Sequence, residues 1–192
     1  MDVEELLYRA MCFAAAAHSG QMRKSENLPY ILHPMEVSTI VSGITNEPDV
    51  IIAALLHDVV EDTPGTPEQI TKLFGEHVAF LVASETENKR EEMAPEDSWR
   101  IRKEESLQEL ADSTDPMVRI LWLADKLANM RSLYRSWRKI GDDAFQVFHQ
   151  KEKSAHEWYY RTAMESFEPL SDTAAYAEYK FLVNEVFHEG RA

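Results

Sequence analysis

The run from Val50 to Asp62 constrains this chain more than any other segment. Val50-Ile51-Ile52-Ala53-Ala54-Leu55-Leu56 passes without a break into His57-Asp58-Val59-Val60-Glu61-Asp62. The first half has to leave water, while the second carries an imidazole and three carboxyl groups that resist burial. At about 100° per residue, positions i, i+1, i+4 and i+5 fall on one stripe of a helix, so His57, Asp58, Glu61 and Asp62 converge. Carboxylates on one short stripe repel one another and are costly to desolvate. Two resolutions are open: a solvated helix end, or a divalent cation at the centre.

The rest of the chain reads as helical. Apolar residues recur at helical spacing from Glu4 to His18, where Ser19-Gly20 stops the pattern. Gln21 to Leu32 reads as a loop, and Pro34 sits in the first turn of a helix to about Ser42. Asp49 to Glu61 is a further helix. Thr66-Pro67 caps and opens another that Gly75 closes, followed by Glu76 to Thr86. Asn88 to Trp99 reads as a loop leading into a helix from about Asp97 to Ala111. Asp115-Pro116 starts a long helix to about Lys139, and two more are expected over Asp143 to Phe167 and Asp172 to His188. No window alternates with a β period, and no internal repeat or long linker is visible. The expectation is one all-α, compact multi-helix domain over residues 1–192.

Composition bounds the function. The 192 residues carry 20 Lys plus Arg against 34 Asp plus Glu, a net charge of −14. Such a charge argues against a nucleic-acid partner, whose affinity comes from cations on phosphates. It leaves room for a small phosphorylated ligand, because a metal ion or a local basic cluster inverts the potential of one cleft. The single cysteine, Cys12, permits no internal disulfide and fits a reducing compartment. The apolar run Val50–Leu56 is far short of the ~20 residues of a membrane span. Met-Asp-Val-Glu-Glu at the start lacks the basic region of a signal peptide. A cytoplasmic protein without a membrane partner is expected, and homo-oligomerisation is left open.

Two further positions complete a ligand set. In Val118 to Leu133, Asp125 shares a mainly apolar helix row with Val118, Leu121, Ala128 and Ser132, and Asn129 lies one turn on. An Asp in such a row is seldom buried without a partner, which is either Lys126 or Arg131 or a metal. His33, in Pro29-Tyr30-Ile31-Leu32-His33-Pro34, stands at a helix start. His33, His57, Asp58 and Asp125 together offer two nitrogens and two carboxylates, a set that suits Mn²⁺, Fe²⁺ or Zn²⁺ with positions left for water and substrate.

The ordered motifs Gly20-Gln21-x-Arg23-Lys24, Pro29-Tyr30-Ile31-x-His33-Pro34, Ala53-Ala54-Leu55-Leu56-His57-Asp58-x-x-Glu61-Asp62-Thr63, Phe74-Gly75 and Leu123-Ala124-Asp125-Lys126-Leu127-x-Asn129 resemble a known family. It is the HD-type hydrolase domain of the Rel/Spo stringent-response enzymes, and more closely their stand-alone small alarmone hydrolases. The motifs span about residues 14–134, followed by C-terminal helices over about 143–188. The length matches such a hydrolase and leaves no room for the synthetase or regulatory domains of the long enzymes. The resemblance implies removal of the 3′-pyrophosphate of guanosine tetra- or pentaphosphate, with one Mn²⁺ per chain. It implies that His33, His57, Asp58 and Asp125 hold the metal. Glu61 and Asp62 would orient or deprotonate the attacking water, and Arg23, Lys24 and Asn129 would contact the nucleotide. Ser25-Glu26-Asn27-Leu28 stands where the family carries a Gly-containing turn.

Other marked residues have competing readings. Tyr159 and Tyr160 are core aromatics or stack on a base. Arg131, Arg135, Arg138 and Lys139 steer a polyphosphate or lie on a solvated face, and Trp99-Arg100-x-Arg102-Lys103 is placed to reach over a cleft. His18 is expected to end the first helix. His77, His149 and His188 have no metal-spaced partner. Two rivals to the alarmone reading stand: a phosphohydrolase acting on ppApp, the 2′-phosphate of NADPH or a nucleoside monophosphate, and a binding module without turnover.

Overall fold

The computed structural model describes residues 2–23, 27–90 and 92–188. Helices α1 (Val3–Ala17), α2 (Leu32–Ser42), α3 (Pro48–Leu56), α4 (Val59–Asp62), α5 (Pro67–Phe74), α6 (Glu76–Glu85), α7 (Pro95–Asp112), α8 (Pro116–Ile140), α9 (Lys153–Ser166) and α10 (Ala174–Val186) follow in that order, with 3₁₀ turns at Gly141–Val147 and Glu168–Leu170. Among the described residues there is no strand, only an isolated antiparallel bridge between Met22 and Pro29. No helix is long and apolar enough to cross a membrane.

Helix α3 is the hub. Val50, Ile52, Ala53, Ala54, Leu55 and Leu56 are buried, and the helix packs against α1, α2, α6 and α8. Ala53 and Ala54 let neighbouring backbones come close, while Leu55 and Leu56 each contribute about 1.5–3 kcal/mol by leaving water. Helix α8 is the long strut, reaching α2, α3, α6, α7 and α10. From Ile120 to Ala128 it is buried all round, the mark of a core helix rather than a surface one. Its largest side chain, Trp122, spends its only donor on the Ser84 carbonyl at 3.0 Å, so the indole is buried without an orphaned N–H.

Local signals fix the ends. Thr66 and Gln69 form a reciprocal capping box at the start of α5. Asp115 caps α8 by accepting from the Met117 amide at 2.8 Å. Gly75 separates α5 from α6 at φ 100°, a region closed to most side chains. Asn27 holds φ 51° in the loop before Pro29-Tyr30, so an Asn takes the left-handed position that a Gly would otherwise fill.

Three expectations need correction. The helix expected from Asp49 to Glu61 is broken at His57-Asp58. The His57 Nδ1–H donates to the Ala54 carbonyl at 2.8 Å, competing with the helical ladder there, and Asp58 relaxes to φ −89°, ψ −5° before α4 begins. The C-terminal helix expected from Asp143 starts only at Lys153. Gly141, at φ 61°, ends α8, and the tighter 3₁₀ turn lets Phe145 and Phe148 both pack on His156, with ring centroids 5.3 and 5.1 Å away. Helix α7 begins at Pro95 rather than Asp97, since proline in a first turn is pre-set for the helix. The single cluster of buried apolar residues runs from Ala10 in α1 to Phe187 after α10.

His77 on α6 ties two other elements together. Its Nδ1 lies 2.8 Å from Asp49 at the start of α3 and its Nε2 2.9 Å from Asp115 at the cap of α8. The hydrogen bonds of Asp115 and then Asp49 raise its pKa above the ordinary value. A raised histidine stabilises below the unfolded pKa of about 6.5, and that stabilisation is lost as pH rises through the folded value. The stability difference between wild type and His77→Gln in urea titrations is therefore largest below pH ~6.5. It amounts to about 0.2–1 kcal/mol for so exposed a pair and shrinks at higher pH; a difference independent of pH would refute the staple.

Candidate metal centre and cleft

Three separate elements bring four predicted ligands together. His33 lies in the first turn of α2, His57 and Asp58 at the break between α3 and α4, and Asp125 in the buried middle of α8. His33 Nε2 is 3.0 Å from Asp125 Oδ1 and 3.5 Å from Asp58 Oδ2. His57 Nε2 is 3.0 Å from Asp58 Oδ2 and 3.5 Å from Asp125 Oδ1. Ligand atoms of His33, His57 and Asp58 all lie within 4.8 Å of one another. The two histidines and Asp125 are nearly inaccessible, and Asp58, with 18% of its side chain exposed, forms the opening.

The donor set fits a divalent cation. His57 gives its Nδ1–H to the Ala54 carbonyl, so Nε2 is the nitrogen turned towards two carboxylate oxygens, there to carry a proton or to offer its lone pair to a metal. That nitrogen is buried and makes no hydrogen bond. A lone pair facing carboxylates is repulsive unless a proton or a metal lies between them. The backbone carbonyl behind the ring is the kind of outer partner that fixes a metal-binding histidine. The charges respond to the same crowding. Burial opposes the imidazolium of His57, but Asp58 and then Asp125 outweigh it and hold its pKa well above the ordinary value. For His33 burial prevails and lowers it. Burial alone would raise Asp58, yet His57 and His33 keep it far below the carboxylate range.

Asp125 has further partners. Its Oδ2 accepts from Lys126 Nζ at 2.6 Å and its Oδ1 from Asn129 Nδ2 at 2.9 Å. Lys126 is buried, 4.3 Å over the Trp122 ring, and also reaches Glu85 Oε2 at 3.0 Å. Asp125 therefore has the lysine partner that the sequence offered and sits against the two histidines as well; Arg131 is not involved. Arg131 is gripped by Glu178 at 2.6 Å and Glu36 at 3.1 Å, which corrects the notion that it steers a polyphosphate.

The acidic pair, adjacent in the turn of α4, points two ways. Asp62 lines a cleft of about 500 Å³ together with Gln21, Arg23, Tyr30, Lys126 and Asn129 on one side and Trp99, Lys103, His156, Tyr159 and Tyr160 on the other. Glu61 points into a neighbouring depression shared with Glu87 and Lys89. The Glu87 amide donates to Glu61 Oε2 at 3.3 Å, and burial followed by the charge of Asp58 pushes the Glu61 pKa up to about 7. Lys89 Nζ spans the pair, 2.7 Å from Asp62 Oδ1 and 4.0 Å from Glu61 Oε1. Arg23 meets Asn129 at 3.4 Å, so these two predicted contacts share the cleft wall. Lys24 lies outside the described residues.

Sequence reasoning passed over several participants. Tyr30 donates to Asp58 Oδ2 at 2.6 Å and lies 3.4 Å from Asp62 Oδ2; its spacing three residues before His33 was a signal. Glu85 and Glu87 carried no motif. Glu87 pairs with Arg102 at 2.8 Å and Lys103 at 2.5 Å, so that basic cluster is anchored rather than free. Lys103 still lies 4.8 Å over the Tyr159 ring inside the cleft. Tyr159 and Tyr160 pack in the core, as one of the two readings had it, and also line the cleft.

A family model described as HD domain matches residues 10–165. The chain belongs to the HD domain family. Among relatives of this HD domain, a guanosine-3′,5′-bis(diphosphate) 3′-pyrophosphohydrolase of Aquifex aeolicus is 36% identical over 148 residues, 75% of this chain and 20% of the relative. A probable enzyme of that name from Synechocystis is 40% identical over 130 residues, 67% of this chain and 17% of the relative. The chain thus spans about a fifth of the length of the curated relatives it matches. In three dimensions it is similar to a metazoan ortholog of SpoT described as hydrolysing ppGpp, with a TM-score of 0.71 and 28% identity, covering 95% of this chain and 93% of that one.

The buried triad of Lys126, Asp125 and Glu85 yields a stability test for this HD domain. Burial opposes the Lys126 charge, but Asp125 and Glu85 overcome it and raise its pKa. Lys126→Met leaves Asp125 and Glu85 facing each other without a cation, a loss of about 3–5 kcal/mol. Urea denaturation at neutral pH checks it, and a loss below 1 kcal/mol would show the triad to be dispensable.

Proposed function

We propose that this chain is a Mn²⁺-dependent hydrolase that removes the 3′-pyrophosphate of guanosine tetra- or pentaphosphate, giving GDP or GTP and pyrophosphate. One observation carries the reading. The cluster of His33, His57, Asp58 and Asp125 adjoins a cleft whose walls bring Arg23, Lys103 and Lys126 together with Trp99, Tyr159 and Tyr160. Cations and aromatic faces in one cavity suit a phosphorylated nucleotide, in a chain whose net charge of −14 would repel one elsewhere. The names of the Aquifex and Synechocystis relatives and the activity described for the metazoan ortholog support the same substrate.

His33, His57, Asp58 and Asp125 would hold the ion. A divalent metal at such a site supplies a lowered pKa for a water and polarisation of a phosphoryl oxygen. The protein's own part is to bind and orient. Arg23 and Asn129 take the nucleotide on the metal side, and Lys24 is a further contact to it. Lys103 and Lys126 offset phosphate charge. Asp62, which faces the cleft, and Glu61 behind it orient the attacking water and accept its proton. Water adds to the phosphorus that bears the 3′ oxygen, that P–O bond breaks, the 3′ oxygen takes up the proton the acid accepted from the water, and GDP or GTP and pyrophosphate are released.

Purified protein with Mn²⁺ and, separately, ppGpp, ppApp, NADPH and dAMP should release pyrophosphate and GDP from ppGpp, and EDTA should abolish it. Orthophosphate from NADPH or dAMP alone would move the substrate, and no turnover by metal-loaded protein would favour a binding module. Asp58→Ala and Asp125→Ala are expected to lose Mn²⁺ and activity together. Glu61→Gln and Asp62→Asn should keep the metal while kcat falls on the order of 10²- to 10⁴-fold. Unchanged kcat in either variant would remove that residue from its role.

A further inference from the structure

We infer that Tyr30, with His18 and Gln21 behind it, is a positioning brace that sets the metal ligand Asp58 and the acid Asp62 in register with each other. The inference rests on the hydrolase reading for its kinetic arm alone. Asp58 caps and Asp62 ends α4, a single turn that begins at a helix break; Val59 and Val60 hold it to the core, and Lys89 with the Glu87 amide ties its acidic end, which leaves Asp58 and Asp62 to be set relative to each other. Such a turn needs an external tie to fix two carboxylates. The Tyr30 hydroxyl supplies one from the segment before α2, 2.6 Å from Asp58 Oδ2 and 3.4 Å from Asp62 Oδ2. Asp58 Oδ2 is also the oxygen that faces His33 and His57. With one hydrogen, the hydroxyl orients the oxygen that would meet the ion and stands beside the acid that would meet the water.

The second strand of the brace runs through the end of α1. His18 is 3% exposed, and its ring lies 4.9 Å from that of Tyr30, tilted by 35°. Its Nδ1 is 2.7 Å from Gln21 Oε1, an acceptor, so Nδ1 carries the proton. Gln21 Nε2 donates in turn to the Asp62 main-chain carbonyl at 2.6 Å. The Tyr30 amide donates to the Gln21 carbonyl at 2.9 Å, which joins the two strands. The histidine that ends α1 therefore holds the backbone of Asp62 and the ring that holds Asp58. Partners of this outer kind typically contribute on the order of 10- to 100-fold in metal affinity or activity.

The two strands make separable predictions. Tyr30→Phe keeps the ring contact with His18 and removes only the hydroxyl. Isothermal titration with Mn²⁺ should show weaker binding by about 10-fold, and kcat for pyrophosphate release from ppGpp should fall by at least as much, with KM nearly unchanged. His18→Phe keeps an aromatic ring and removes the Nδ1 donor. It should lower kcat several-fold while leaving the Mn²⁺ affinity within twofold, because it acts through Asp62. A merely structural role would lower Tm in both variants and leave both constants of the folded protein unmoved. Mn²⁺ affinity and kcat of Tyr30→Phe within twofold of wild type would overturn the brace. If the wild type turns over no ppGpp, the hydrolase reading fails and the Mn²⁺ titration of Tyr30→Phe alone decides: weakened binding upholds the brace, unchanged binding overturns it.

Discussion

Two imidazole nitrogens and two carboxylate oxygens held 3.0–3.5 Å apart, three of the four side chains almost out of reach of water, set the conditions for the remainder of this fold. Groups of this kind are costly to desolvate, and each surplus charge has to find a counter-charge nearby. Every neighbour of the cluster can be read as part of that compensation. Lys126 and Asn129 take the two oxygens of Asp125, Tyr30 takes Asp58, and the Ala54 carbonyl takes the outer nitrogen of His57. Lys126 is itself a buried cation and needs Glu85 as a second partner. The network therefore extends from the cluster through α8 to the end of α6. A chain that must bury such a set needs rigid, apolar supports, and α3 and α8 are those supports.

The helix break at His57-Asp58 is where the chemistry enters the fold. Glu61 and Asp62 follow the break in the short turn of α4, and as adjacent helical residues about 100° apart they point in different directions. Asp62 turns to the cleft beside Tyr30, while Glu61 turns to the Glu87 amide and Lys89. The two acids then sit in different electrostatic surroundings, and only Glu61 has its pKa pushed up to about 7. One helical turn thus places two adjacent carboxyl groups in different surroundings.

Much of this was legible in the sequence, for identifiable reasons. Asp125 in an apolar row and His57-Asp58 at the end of an apolar run announce themselves, because buried charge is rare enough to be informative. Helix ends at Thr66, Gly75 and Asp115 follow from capping and backbone chemistry, which is local. The break in α3 was not legible. It depends on a side chain bonding its own backbone, whereas periodicity assumes an ideal helix. Glu85, Glu87 and Lys89 escaped because their partners are more than ten residues away and no spacing rule links them. The 3₁₀ turn at Gly141–Val147 escaped because phenylalanines three apart suit either kind of helix until their target, His156, is known. The gripping of Arg131 by Glu36 and Glu178 was hidden in the same way.

The cleft wall is built in two parts of separate origin. The metal side comes from the segment before α2, from α4 and from α8, where the motifs lie. The opposite wall comes from α7, the 3₁₀ turn after α8, and α9, which supply Trp99, Lys103, Phe148, His156, Tyr159 and Tyr160. That wall is braced independently: Glu87 anchors Lys103, and Arg100 lies 3.3 Å over the Trp158 ring. Among the described residues, no hydrogen bond ties the aromatic wall to His33, His57 or Asp58. The aromatic wall and the ligand cluster are thus held by largely separate contacts, and the C-terminal third, which carries no motif, supplies Phe148, His156, Tyr159 and Tyr160 to that wall.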